Sequence, residues 1–140
     1  MSQENVEMAR RGIAEINEIY KTGEFSRSLP RIREVCDPDF VLRPSGMFPE
    51  QEEMRGPEGF LAFMHGQAEA FERMWIKAEE FRDAGDRVVI PIRFGGRARH
   101  TGLDVEFQVT HLCTYREGKL LRDEIYPTKA EALEAAGLRE

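Results

Sequence analysis

The chain has 140 residues, of which 41% are hydrophobic and 33% are charged. This length and composition predict one globular domain over residues 1–140, able to bury roughly 68–70% of its unfolded surface, and they exclude a disordered chain. The formal charge of −6 makes the surface repel phosphate backbones, so we expect no nucleic-acid partner.

Membrane and cofactor signals are weak throughout the chain. No apolar stretch approaches the roughly 18–20 residues that a membrane span needs, and the first eleven residues mix Glu and Arg without the apolar run of a signal peptide. Cys36 and Cys113 lie far apart, and no Gly-rich phosphate loop or ligand spacing is present. We therefore expect a cytoplasmic protein with no membrane association, no metal and no cofactor.

The N-terminal part predicts two helices and a strand. Apolar residues at three- and four-residue intervals favour an amphipathic helix over residues 5–21 and a short one over residues 28–35. Asp37-Pro38-Asp39 is expected to end the second helix and turn the chain. A short strand over residues 40–43 follows, and residues 45–56 are expected to form a loop at a pocket rim.

The remaining residues predict one more helix, an antiparallel meander and a tail helix. Pro57 opens the third helix, and strands are expected over residues 74–81, 88–97, 103–116 and 120–126. Gly95-Gly96 indicates a bulge or bend, and Glu117-Gly118 indicates a tight hairpin. Thr128 is expected to cap a last helix that ends at Gly137. Helices on one side of a curved antiparallel sheet make this an α+β fold.

Short motifs in this order resemble the SnoaL-like branch of the nuclear-transport-factor-like superfamily, of the type common in actinobacteria, over nearly the whole chain. They are MSQENV at 1–6, DPDF at 37–40, RGPEG at 55–59, AGDRVV at 84–89, EGKL at 117–120 and AEALEAAGL at 130–138.

The resemblance implies a cone-shaped fold in which helices close over a bent sheet and leave a deep pocket. It also implies a homodimer formed through the outer face of the sheet. Members of this superfamily include polyketide cyclases, ketosteroid isomerases, epoxide hydrolases and non-enzymes, so the fold does not decide the function.

The candidate catalytic pair is His111 with Asp123. Alternation along the third long strand puts His111 on a face with Val109, Cys113 and Tyr115, and the hairpin register makes Asp123 its diagonal neighbour. Such a pair suits proton abstraction next to a carbonyl. The alternatives are a structural His111 bonded to a carbonyl and an Asp123 that is solvated or paired with an arginine.

The neighbour of Asp123 must point to the opposite face of its strand. Either Asp123 or Glu124 therefore faces the pocket, but not both. We expect it to be Asp123, because Leu121 and Ile125 are its more core-like companions.

Aromatic, methionine and thiol side chains are the candidate pocket lining, although the same residues equally suit an ordinary core. The predicted ligand-binding set is Tyr20, Met47, Phe63, Met64, Trp75, Phe107, Cys113 and Tyr115. Tyr115 or Tyr20 is the expected hydrogen-bond donor to a ligand.

The resemblance also argues against some activities. Ile92, Phe94 and Ile125 stand where epoxide hydrolases of this fold place their water-activating Arg and Asp residues. Phe40 to Arg43 carries no acid after Asp39, which disfavours the ketosteroid isomerase pattern. The sequence thus predicts a protein that binds a small apolar molecule, either as a cofactor-free isomerase or cyclase of a hydrophobic carbonyl compound, or as a non-catalytic binding or dimeric interaction module.

Overall fold

A computed structural model describes residues 2–44 and 53–138, and in these two ranges the chain alternates helices with a long set of strands. In chain order the elements are α1 (Ser2–Thr22), a 3₁₀ turn (Ser26–Ser28), α2 (Leu29–Val35), β1 (Cys36–Arg43), β2 (Met54–Arg55), α3 (Gly56–Ala70), β3 (Phe71–Ala78), β4 (Arg82–Ala84), β5 (Arg87–Ala98), β6 (Asp104–Arg116), β7 (Lys119–Tyr126) and α4 (Lys129–Ala135).

The strands form one curved, unclosed sheet in the order β2-β1-β7-β6-β5-β3, and β4 pairs with β5 beyond the end of β3. All described pairs are antiparallel except β1 with β7, which is parallel. The predicted α+β cone fold is therefore confirmed. Within the described residues, no helix is both long enough and apolar enough to cross a membrane.

A two-residue turn sets the register of the β6–β7 hairpin. Glu117 and Gly118 have φ angles of 51° and 78°, which is the left-handed geometry of a type I′ turn. The turn aligns Cys113 with Asp123 and His111 with Ile125. The predicted hairpin and its register are confirmed, and the register brings His111 and Asp123 to the same face.

Two glycines allow close backbone approach where the sheet bends. A Cβ atom at Gly95 would lie 2.2 Å from the carbonyl oxygen of Val105, and one at Gly96 would lie 2.8 Å from that of Glu72. The predicted irregularity is a bulge in the partner strand, between Glu72 and Trp75 of β3. Any side chain at Gly95 would collide with the β6 backbone.

The two faces of the sheet have different covers. Helices α1 and α3 lie over the concave face, and Asn17 of α1 exchanges two 2.8 Å hydrogen bonds with the backbone of Ile76. Helix α4 packs on the outer face, where Leu133 lies in one buried cluster with Val89 and Leu112. Its first turn is capped as predicted, since the Thr128 hydroxyl accepts from the Glu131 N–H at 3.2 Å.

Some predicted boundaries were wrong. Strand β1 begins at Cys36, so Asp37-Pro38-Asp39 lies inside a strand and not in a turn. The β1–β7 pairing shifts register between Cys36 and Val41, which leaves Pro38 where no ladder hydrogen bond is needed.

The strand expected over residues 74–81 runs from Phe71 to Ala78, and Arg82–Ala84 forms an edge strand between the two predicted strands. Both differences arise because β5 is long enough to pair with two successive strands. The short strand β2 also lies inside the predicted loop over residues 45–56.

Candidate functional site

A cavity of about 100 Å³ lies between the concave face of the sheet and helices α1 and α3. Its wall is almost entirely apolar, with Ile13 and Ile16 from α1, Phe60 from α3, and Ile90 and Ile92 from β5. The polar groups among the described lining residues are Tyr20, Gln67, His111, Cys113, Tyr115 and Asp123. Four of these six lie together on β6 and β7.

His111 and Asp123 form a hydrogen-bonded pair in this wall. Nδ1 of His111 lies 2.7 Å from Oδ1 of Asp123, and their side chains are 17% and 7% exposed. In the tautomer that donates its Nδ1 hydrogen to the Asp123 carboxylate, Nε2 keeps its lone pair. No described residue bonds Nε2, which leaves that nitrogen available to a molecule in the cavity.

Cys113 makes a second contact with the same carboxylate. Its thiol lies 3.7 Å from Oδ1 of Asp123 and is within donor range for sulfur. Burial raises the pKa of the Cys113 thiol well above its ordinary value, and the nearby Asp123 charge raises it further. Cys113 therefore stays protonated and acts as a donor to the carboxylate, not as a thiolate nucleophile.

Strand alternation decides which acid faces the cavity. Asp123 pairs with Cys113 on the concave face and is 5% exposed. Glu124 points to the other face, where it accepts a 3.2 Å hydrogen bond from the Tyr126 hydroxyl. The structure thus places Asp123 at the cavity, and it gives His111 a carboxylate partner in place of a carbonyl.

Two tyrosines contribute hydroxyl groups to the cavity. Burial raises the pKa of both Tyr115 and Tyr20 above the ordinary phenol value, so both stay protonated. Among the described residues neither hydroxyl has a hydrogen-bond partner. Each is therefore a free donor, and Tyr115 lines the cavity two residues beyond Cys113 on β6.

The other predicted lining residues divide into three groups. Phe63 and Met64 of α3 line the cavity. Trp75 does not, because it lies between Met74 and Ile76, which do, and so points to the outer face. Phe107 shares the concave face but is 47% exposed and lies beyond the cavity wall. Met47 falls outside the described residues.

Sequence reasoning missed Gln67. It lies one turn after Phe63 and Met64 on the inward face of α3 and lines the cavity. The available signal was a polar residue at an apolar position of the helix. Ile92, Phe94 and Ile125, the positions where epoxide hydrolases of this fold would need charged groups, all line the cavity as apolar side chains.

The donor atoms of His111, Cys113 and Asp123 lie within 4.8 Å of one another, which by distance could accommodate a metal ion. Spacing along the chain did not indicate this group, because cross-strand pairing brings the three together. In the structure the Asp123 Oδ1 atom already receives two hydrogen donors, so the geometry is that of a hydrogen-bonded cluster.

Comparison with known proteins gives a family and several similar folds. A family model described as a SnoaL-like domain matches residues 8–122. No curated protein matches the chain.

Among solved structures, a candidate SnoaL-like polyketide cyclase from Jannaschia sp. CCS1 has a TM-score of 0.70 at 19% identity, with 100% of this chain and 96% of that chain covered. An NTF2-like protein of unknown function from Burkholderia pseudomallei K96243 has a TM-score of 0.68 at 23% identity, with 96% and 97% covered. TerC, crystallised with polyporic acid, has a TM-score of 0.64 at 22% identity, with 96% and 98% covered. At these identities the likeness establishes the fold alone.

Proposed function

Because the chain belongs to the SnoaL-like domain family, we propose that its single domain binds a small, largely apolar carbonyl compound and catalyses cofactor-free acid–base isomerisation or cyclisation of it. The observation that carries this proposal is the 2.7 Å bond between His111 and Asp123 in an apolar cavity. The family alone does not decide the reaction.

In the proposed mechanism, His111 moves the proton. Its Nε2 lone pair takes a proton from the carbon next to the substrate carbonyl, and the electron pair of the broken C–H bond forms an enolate. The Asp123 carboxylate holds the imidazole in place and stabilises the imidazolium that forms. In an isomerisation, the same Nε2 returns the proton to a different carbon, so no atom is gained or lost.

The enolate oxygen needs a hydrogen-bond donor. Tyr115 is the first candidate, because its hydroxyl has no described partner and its raised pKa keeps it protonated. Tyr20 is the second candidate for the same reasons. A neutral donor in an apolar cavity stabilises a developing oxyanion more strongly than the same donor in water does.

The test measures proton abstraction directly. We expect the wild-type protein to exchange the methyl-ketone protons of 4-methylacetophenone for deuterium in D₂O, followed by NMR. His111→Gln should lower this exchange by roughly 10²–10⁴-fold while leaving ligand affinity within a few-fold. His100→Gln is the matched control, since His100 is exposed on the β5–β6 turn, and it should exchange at the wild-type rate.

The second candidate function is binding without catalysis, and the apolar wall, including Ile92, Phe94 and Ile125, favours it. Binding of the ketone by calorimetry with no deuterium exchange in the wild-type protein would reject the enzyme and support this alternative. Equal exchange by wild type and His111→Gln would reject the proposed pair.

The same proposal places the protein in the cytoplasm as a homodimer. Both cysteine thiols are free and buried, which suits a reducing compartment. The proposed dimer uses the part of the outer sheet face that α4 leaves uncovered. Trp75 lies there, half-buried, and aromatic residues of this kind are enriched at protein interfaces.

A further inference from the structure

An exposed apolar surface continues the concave face beyond the cavity wall. The register pairs Phe94 with Phe107, Gly96 with Val105 and Phe71 with Ala98, and these six residues form what we call the distal patch. Phe94 belongs to both regions, since it lines the cavity and stacks on Phe107 with ring centroids 5.4 Å apart. The Phe71 ring meets Phe107 edge-on at 6.2 Å.

Exposure rises along β6 from the cavity to this patch. Val109 is 5% exposed, whereas Phe107, the next residue on the same face, is 47% exposed. The apolar face therefore continues from the cavity wall, through Phe94, to the exposed ring of Phe107. A large aromatic side chain left half in water next to an apolar cavity points to a contact with another molecule.

The charged side chains of β5 and β6 beside the distal patch point away from it. Arg97 pairs with Asp104, and Glu106 lies opposite Gly95, so all three alternate to the outer face. Glu72 pairs with Arg97 on the same outer face. On β5 and β6 the concave side of this sheet end therefore offers small, aliphatic and aromatic groups, which suit an uncharged apolar segment of a ligand.

The size of the cavity and its distance from Phe107 fit a ligand with a small head group and a long tail. The cavity volume is about 100 Å³, whereas an engineered apolar cavity of about 150 Å³ holds one benzene molecule, so the cavity itself takes little more than a head group. His111 and Phe107 are four strand residues apart, which is about 14 Å at roughly 3.4 Å per residue.

We propose that the ligand is elongated and uncharged, with a carbonyl head at His111 and an apolar tail that lies on Phe94 and Phe107 about 14 Å away. Phe107 is then a specificity-determining residue that selects long ligands over short ones. This inference rests on the proposed function, because it assumes that the head binds beside His111.

A pair of ketones that differ only in tail length tests the patch. Calorimetry should show that the wild-type protein binds 4-hexylacetophenone at least tenfold more tightly than 4-methylacetophenone. Phe107→Ala should weaken the hexyl ligand about tenfold and leave the methyl ligand within twofold, because only the long tail reaches the ring. Phe107→Leu, which keeps an apolar side chain, should recover part of the loss.

The matched control is Gln108→Ala. Gln108 is exposed and follows Phe107 on β6, but it pairs with Arg93 and alternates to the outer face, so this variant should bind both ketones as the wild type does. Equal weakening by Phe107→Ala and Gln108→Ala would overturn the subsite.

Two further outcomes separate the possible failures. If the methyl ligand binds and the tail adds nothing, the subsite is wrong and the proposed function stands; if neither ketone binds the wild type, both are wrong. If ligand-free wild type is a dimer by sedimentation and Phe107→Ala is a monomer, a second copy covers the patch and the ligand subsite is overturned.

Discussion

Two aspartates on this sheet are similarly buried but have different hydrogen-bond partners. Asp37 of β1 is 8% exposed and Asp123 of β7 is 5% exposed. Asp37 accepts from the Asp39 N–H at 2.8 Å and pairs with Arg116 at 2.9 Å. Asp123 instead contacts an imidazole and a thiol, His111 and Cys113.

The partner decides what each carboxylate can do. Arg116 never loses its proton, so Asp37 is held in one ionised state, and the pair joins β1 to the end of β6. An imidazole has one nitrogen that can donate and one that can accept a proton, so Asp123 belongs to a pair that can take part in proton transfer. An acid bound to a permanent cation serves structure, whereas an acid bound to a titratable group inside a cavity is suited to chemistry.

Exchanging each aspartate for asparagine should produce the largest contrast. Asp123→Asn removes the charge that stabilises the imidazolium, so we expect a roughly 10²–10⁴-fold loss of deuterium exchange into 4-methylacetophenone. Asp37 does not line the cavity, so Asp37→Asn should change the exchange rate less than twofold. NMR in D₂O measures both variants, and equal losses would show that burial alone, not the partner, explains the effect.

Removing a hydroxyl from the cavity should have the next largest effect. Tyr115→Phe deletes the proposed donor to the enolate, and we expect the exchange rate to fall on the order of 10². Because the pKa of Tyr115 is raised by burial, the wild-type rate should show no loss from tyrosine ionisation near pH 10. Tyr20→Phe is the matched variant, and a larger loss in that protein would assign the donor role to Tyr20.

The smallest expected effect is the loss of the stability that Asp37 contributes when the pH is lowered. The hydrogen bond from the Asp39 N–H, followed by that from Arg116, lowers the pKa of Asp37 below its ordinary value of 3.8. A lowered carboxyl pKa stabilises the fold above the ordinary value, and this contribution is lost as the pH falls through the folded value. Asp37→Asn should therefore lower the free energy of unfolding by about 1 kcal/mol at pH 7, since Arg116 is half exposed.

Urea titration of wild type and Asp37→Asn across the acid range measures this difference. It should be constant above pH 5 and shrink below pH 4. A difference independent of pH would show that the ion pair adds no stability. Asp39→Asn is the control, and its effect should be smaller because the Asp39 side chain is 78% exposed.

Local patterns in the sequence determined most of the fold and the membership of the polar cluster. The 3.6-residue and two-residue periods predicted α1, α3 and the meander. Glu117-Gly118 predicted the hairpin, and counting back from that turn placed Asp123 opposite Cys113, as the pairing confirms. A tight turn transmits register over many residues because each strand pair is rigidly spaced, so short-range chemistry was sufficient here.

Only the tertiary structure decided what depends on neighbours distant in the chain. Trp75 was predicted to line the cavity because it is aromatic, but it alternates with the lining residues Met74 and Ile76 and so faces outward. Phe107 stays half exposed although Val109, on the same face, is buried, and Gln67 lines the cavity because α3 packs across the concave face. The pairing of His111 with Asp123 was predictable from the turn, but its enclosure in an apolar cavity follows from helices packed across the sheet, which local periodicity does not encode.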